Sequence, residues 1–300
     1  MTRRPWLSIA LSALAVSVLA ACGGSGPSSK TGASTAARGR KTEETAARRS
    51  GSGSSSASRA PALATGTYRG PVPILMYHVI SSPTPGTPYP ELWTPRPAFA
   101  AQMQGLAQAG YHAVTLQQAW DAWHDGAGLP AKPVVVSFDD GYLSHLTRAA
   151  PVLYRLGWRG VLNLEVHNVM PGDLTRGQVK QLIGLGWEID AHTMTHPDLT
   201  TVDAARLADE VGGSRRTLRQ MFGVPVNFFA YPAGRYNAAA QQAVRDAGFD
   251  AAVTTQPGIA TDGDDPTILP RVRVDGNTSP ATLLSELSGA SSLPTGSVGG

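Results

Sequence analysis

The chain reads as an α/β protein with parallel strands, either a barrel or a doubly wound sheet, and three observations predict this. From residue 67 onward, apolar strand-like runs alternate with helical stretches over about 200 residues, the pattern of successive βα units. The run VVVSFDDG at 134–141 is typical: three β-branched valines and Phe138 look like a buried strand, and it stops on two carboxylates and a glycine. The other runs also end on polar or special residues, at Tyr77-His78, Asp190-Ala191-His192 and Tyr231-Pro232-Ala233-Gly234. In both architectures the active site lies where strands end, so carboxylates and imidazoles are expected to converge on one rim.

Ahead of that domain the sequence is of another kind. Arg3 and Arg4, an apolar stretch and small residues make 1–21 a secretory signal peptide, too short and wrongly flanked for a membrane span. Leu19-Ala20-Ala21-Cys22 resembles the lipobox of bacterial lipoproteins, which makes Cys22 the lipidated first residue of an exported, membrane-anchored chain; a plain cleaved signal peptide is the alternative. As the only cysteine, Cys22 cannot form a structural disulfide within the chain. The remainder of 22–66 is Gly, Ser, Ala, Thr and charge, with little to bury, so it reads as a flexible linker reaching on the order of 35–40 Å. Residues 1–66 carry nine Lys+Arg and two Asp+Glu, so the net charge of +3 divides into a basic leader of +7 and a domain of −4. The basic balance therefore gives no support to nucleic-acid binding; a basic linker suits anionic lipid headgroups or plain solvation.

The domain is expected over 67–280, followed by a tail over 281–300. PVPILMYHVI (71–80) reads as the first strand, and SSPTPGTPYPELWTP (81–95) as a loop whose Tyr89 and Trp93 suit stacking on sugar rings. The stretch 97–111 is a helix with Phe99, Met103 and Leu106 on one face and Gly110 as its stop. Strand 134–138 then leads to helix 144–156, strand 160–166, helix 175–185, strand 187–192, helix 202–222, strand 226–231, helix 237–247 and strand 250–255.

Within the rim, HTMTH (192–196) places two histidines four apart, which brings both rings to one side of a turn. Two neutral imidazoles and one carboxylate suit zinc or a similar divalent ion with positions left open for water and substrate. His112, His124 and His167 have no such context and read as structural. SFDDG (137–141) followed by HTMTH resembles the first two motifs of the NodB-like polysaccharide deacetylases, carbohydrate esterase family 4, over roughly residues 71–275. The resemblance implies a distorted (β/α) barrel of about seven strands that removes acetyl groups from N-acetylated sugars. It implies Asp139 as general base and Asp140, His192 and His196 as metal ligands. Adjacent residues of an extended chain point to opposite sides, which agrees with separate roles for the two aspartates. Gly141 is expected to turn the backbone without obstructing substrate.

The third motif departs from the family. In FFAYPAG (228–234) the family's arginine, which pairs with the catalytic aspartate, is Ala230. Exopolysaccharide deacetylases within the family are similar in this F-A-Y-P-x-G form, in M-Y-H near the start, and in ILPRVRV (268–274), whose Arg271 is the expected substitute cation. The N–H of Ala233 is then a candidate oxyanion donor, with Tyr231 and Trp93 as substrate contacts. No L-x-H-D motif is present downstream, so His78 is the candidate for protonating the leaving amine, against a structural or sugar-contacting role. Asp190, two residues before His192, is a candidate for orienting a ligand, against a solvated position. The expected whole is a monomeric, metal-dependent deacetylase of N-acetylglucosamine polysaccharide at the cell envelope, with no nucleic-acid partner. A non-haem iron oxygenase and a sugar-binding module with a decayed site are the alternatives; the first usually has H-x-D/E, which HTMTH is not, and the second is disfavoured by intact base and ligands.

Overall fold

In the computed structural model, which describes residues 66–289, eight strands all pair in parallel. They are β1 (Ile74–Tyr77), β2 (His112–Val114), β3 (Pro133–Asp140), β4 (Val161–Leu164), β5 (Glu188–Ala191), β6 (Phe228–Ala230), β7 (Ala251–Pro257) and β8 (Leu269–Arg273). The order β1-β8-β7-β6-β5-β4-β3 closes on itself through a β1–β3 pairing, giving a seven-stranded barrel. β2 stands outside the ring: it pairs only with 133–135 at the start of β3, and β4 takes over from Ser137 to Asp140.

Period-2 alternation divides the apolar residues between two buried layers, since both faces of each strand are covered. Ile74, Val135, Val161, Phe228, Ala251 and Val253 fill the barrel interior, where they join Leu116, Ala119 and Trp123 of α2 (Leu116–His124), which closes the end where strands begin. Leu75, Val136, Phe138, Leu162, Ile189 and Phe229 face outward to a shell made with α1 (Arg96–Gln108), α3 (Ala150–Arg155), α4 (Arg176–Gly184), α5 (Ala204–Ala208), α6 (Ser214–Phe222), α7 (Ala238–Asp246) and α8 (Pro280–Gly289). Helix starts are fixed locally: Thr115 and Thr175 form capping boxes with Gln118 and Gln178, and Asp203 and Asn237 accept from the first-turn N–H groups. Each such cap contributes about 1 kcal/mol.

The barrel is distorted between β5 and β6, which pair only at Ala191 and Phe229, and between β7 and β8, where the register shifts after Val253. Asp190 bridges the first gap, its Oδ1 accepting from the Phe228 N–H at 3.1 Å.

Several boundaries differ from expectation. The helix read over 202–222 is α5 and α6 joined by a π-turn at Asp209–Gly213, and that read over 144–156 opens with a π-turn at His145–Ala149. Residues 281–289, assigned from sequence to the tail, lie in α8, whose Leu283 and Leu287 are buried in the outer layer. The signal peptide over 1–21, lipid on Cys22 and all but the last residue of the 22–66 linker fall outside the described residues.

Candidate active site

The two aspartates of β3 separate at the rim because the chain leaves the strand between them. Asp139 continues the inward-facing series Val135, Ser137, Asp139, whereas Asp140 has φ 76° and Gly141 φ 113°, which swing the next side chain onto the rim. Gly141 turns the backbone as expected, at φ 113°, and a Cβ there would also stand 2.5 Å from Leu164 Cδ1, so the position admits no side chain.

Inside the barrel mouth Asp139 meets Arg271 of β8 in a bidentate pair, Nη1 to Oδ1 at 2.8 Å and Nη2 to Oδ2 at 2.7 Å. Arg271 is 0% exposed, and its Nε donates to the Thr254 carbonyl at 2.7 Å. Arg271 is thus a buried ion-pair partner of Asp139 and not a surface cation. Asn163 Nδ2 adds a third bond to Asp139 Oδ1 at 2.7 Å. Burial alone would raise the Asp139 pKa, but the Arg271 charge and hydrogen bonds overcome it and hold the carboxyl well below the usual range. Oδ2, with one lone pair uncommitted to Arg271, lies 3.7 Å from His78 Nε2, beyond hydrogen-bond distance. His78 directly follows β1 on the same rim; its carbonyl accepts from His145 Nε2 at 2.7 Å, and burial lowers the pKa of its ring.

Beside this pair, Asp140, His192 and His196 present ligand atoms all within 4.8 Å of one another. Asp140 Oδ1 lies 3.3 Å from His192 Nε2 and 3.6 Å from His196 Nε2. Ligand atoms sharing one ion at about 2.0–2.2 Å stand roughly 3–3.5 Å apart in a tetrahedral site, so the set fits a small divalent cation. Two further observations support the fit. Asp140 Oδ1 is enclosed and accepts no hydrogen bond, an orphan that a cation would satisfy. His192 Nδ1 donates to the Ala230 carbonyl at 2.7 Å, which fixes its tautomer and leaves Nε2 free as a ligand. Burial works against charge on both Asp140 and His192, yet their mutual attraction prevails, lowering Asp140 to about 2 and raising the imidazole. The site is thus built to draw in positive charge.

A cleft of about 860 Å³ is lined by Asp139, Asp140 and His196 together with Tyr89, Glu91, Leu92, Glu165, Arg235 and Arg273. Among the described residues, six besides glycine have positive φ; Tyr89, Asp140, His196 and Ala233 line this cleft and Thr193 sits in the histidine loop. Strained backbone concentrated at one place is a mark of a functional site.

Three expected contacts fall elsewhere. Tyr231 is fully buried and packs against Phe229 and Tyr236 beneath the rim, because β6 directs it outward to the helix shell. Trp93 is half-buried and bridged to Val79, so the 81–95 loop offers Tyr89, 69% exposed, to the cleft in its place. Asp190 is neither solvated nor bonded to His192; burial and the neighbouring Glu188 carboxylate push its pKa well above normal. Ala233 lines the cleft as expected, at φ 50°. Sequence reasoning passed over Asn163, His145 and Glu210. Asn163 had a legible signal, a lone amide at an inward position of an otherwise apolar strand; the other two sit on helices whose orientation only packing sets.

The profile of the polysaccharide deacetylase family matches residues 126–252. The Bacillus subtilis (strain 168) protein YxkH, which bears the polysaccharide deacetylase name, is 31% identical over 204 residues, 68% of this chain and 71% of its own. A shorter match, 41% identical over 64 residues, is to the poly-β-1,6-N-acetyl-D-glucosamine N-deacetylase of Escherichia coli (strain K12), covering 21% of this chain and 10% of that protein. Among solved structures, the Streptococcus pyogenes deacetylase PplD in complex with acetate superposes with a TM-score of 0.67 at 28% identity, over 73% of this chain and 99% of that one.

Proposed function

The chain belongs to the polysaccharide deacetylase family, and on that premise we propose that it is a metal-dependent amidase releasing acetate from N-acetylglucosamine residues of an extracellular polysaccharide. The observation that carries the reading is the side-by-side placement of a charged, Arg271-clamped Asp139 and an Asp140–His192–His196 ligand set, with Asp139, Asp140 and His196 lining one cleft.

A divalent ion bound by Asp140, His192 and His196, zinc in our reading, would lower the pKa of water there and polarise the acetamide carbonyl. Asp139 Oδ2 takes the proton as water attacks the carbonyl carbon; Arg271 and Asn163 hold the carboxylate in place and leave that oxygen the one with a spare lone pair. The N–H of Ala233, a residue that lines the cleft, stabilises the oxyanion. His78, on the same rim and 3.7 Å from Asp139 Oδ2, gives a proton to the nitrogen as the C–N bond breaks, so that acetate and a free amine leave. Tyr89, projecting into the cleft, supplies a face on which a sugar ring stacks.

The match to the E. coli enzyme makes β-1,6-linked N-acetylglucosamine the first polymer to try. Acetate release should be compared on that polymer, a chitin oligomer and peptidoglycan, with and without a chelator; no release from any of the three would overturn the reading. Export and anchoring through Cys22 are part of the proposal. Residues 67–72 enter β1 at its start, the end of the barrel away from the rim. Mass analysis of the mature N-terminus checks the lipid, and an unmodified Cys22 refutes it.

A further inference from the structure

Of the three expected ligands, His196 is the one held by loop rather than strand. Asp140 ends β3 and His192 comes directly after β5, but His196 comes after a turn in which Thr193 has φ 69° and His196 itself φ 54°. Left-handed backbone costs a non-glycine residue roughly 1–2 kcal/mol, so the turn does not keep this shape unaided. Its inner side is tied to the exit of β4, where the Val166 and His167 N–H groups donate to the carbonyls of Thr193 and Met194 at 3.1 and 3.0 Å. The His196 N–H is taken by Thr193 Oγ1 at 2.9 Å.

The outer side is held chiefly by Glu210, with a longer bond at 3.5 Å from the exposed Arg206 guanidinium to Thr195 Oγ1. Glu210, 3% exposed, accepts from the N–H groups of Met194 and Thr195 on Oε2, both at 2.9 Å, and from Thr195 Oγ1 on Oε1 at 2.5 Å. It lies in the Asp209–Gly213 π-turn. A π-turn carries one residue more than an α-turn and so rotates the helical face before it by about 100° relative to the face after it. That rotation lets one continuous helical segment bury Leu218 in the shell and still aim Glu210 at the histidine loop. Its nearest cation, the Arg206 guanidinium at 3.5 Å, is largely exposed, so the buried carboxylate depends chiefly on the loop for its hydrogen bonds.

We propose that Glu210 is a positioning residue: by clamping Met194 and Thr195 it holds His196 at Asp140 and His192, and so sets the affinity of the metal site. The inference rests on the metal-dependent reading above and names a residue outside the ligand set.

The test is zinc affinity, by chelator competition, of wild type, Glu210→Ala and Glu210→Gln, each well below its own unfolding temperature. Glu210→Ala should bind about 10–100-fold more weakly, with acetate release recovering as zinc is raised and KM for the sugar unchanged. Glu210→Gln should stay within about threefold of wild type, because its oxygen can accept both N–H groups while the Thr195 hydroxyl turns to accept from the amide. A folded Glu210→Ala with wild-type affinity overturns the proposal while leaving the functional reading intact, whatever its unfolding temperature. A wild-type protein that binds no zinc overturns both. Should Glu210→Ala not fold, Glu210→Asp serves: it keeps the charge but is one methylene too short for both amides, so weaker binding is expected and unchanged affinity refutes the clamp.

Discussion

Arg271 and Asp139 lie 132 positions apart in sequence and form a two-point ion pair, at 2.8 and 2.7 Å, inside the barrel mouth. The pair spans β8 and β3, which flank β1 in the closed ring. The cation that Ala230 on β6 does not provide thus reaches the same carboxylate from another strand.

Arg271→Ala should lower acetate release by roughly 10²-fold or more and leave the metal bound. It should also move the acid limb of the pH–rate profile upward. Burial raises the Asp139 pKa and Arg271 lowers it, so without the guanidinium the base is protonated at higher pH. Arg271→Lys should recover only part of the rate, since an ammonium cannot bridge both oxygens. A profile with wild-type rate and limb would remove Arg271 from catalysis.

Asp139→Asn and Asp140→Asn should separate base from ligand. Asp140→Asn removes the anionic member of the triad, so metal content and activity should fall together and excess metal should restore part of the rate. Asp139→Asn should retain metal and lose about 10²–10⁴-fold in rate beyond rescue by metal, with a stability loss of about 3–5 kcal/mol from the stranded Arg271 charge. Metal analysis beside acetate release decides it: a metal-free Asp139→Asn with a metal-replete Asp140→Asn would exchange the roles.

His78→Asn should act on the leaving group. An amine must be protonated as it departs, whereas p-nitrophenolate leaves without a proton, so the variant should lose about 10²-fold or more on an N-acetyl sugar and little on p-nitrophenyl acetate. Equal losses on both substrates would assign His78 to structure.

His145 makes stability pH-dependent. It is fully buried, and burial lowers its pKa from 6.5 to about 4, against the opposing pull of its hydrogen bond to the His78 carbonyl. Between those values the unfolded chain takes up a proton that the folded one refuses, so this contribution to stability falls as pH drops from 6.5 towards 4 and levels below it. The full change is roughly 3 kcal/mol. Urea titrations across that range should show a smaller pH dependence in His145→Phe, and an identical slope in the two proteins would contradict the assignment.

Local pattern fixed much of this molecule. Alternating strands and helices specify parallel βα units because a strand buried on both faces and a helix buried on one have different periods, 2 and 3.6, both visible in a window of a dozen residues. Asp139, Asp140 and His192 are legible for the same reason: they sit at strand ends, and parallel strands place their ends on one rim; His196 is legible through its four-residue spacing from His192. What the sequence left open depended on closure and register. The arrival of Arg271 and Asn163 at Asp139, and of the Ala230 carbonyl at His192, is set by which strands are neighbours and by how many residues they are staggered, and no local period encodes that. Packing likewise decided that Tyr89 rather than Trp93 faces the cleft, that Tyr231 is enclosed by the helix shell, and that 281–289 extends the core as α8. In each case an apolar or aromatic side chain had more than one surface to cover, and only the assembled layers determined which surface remained.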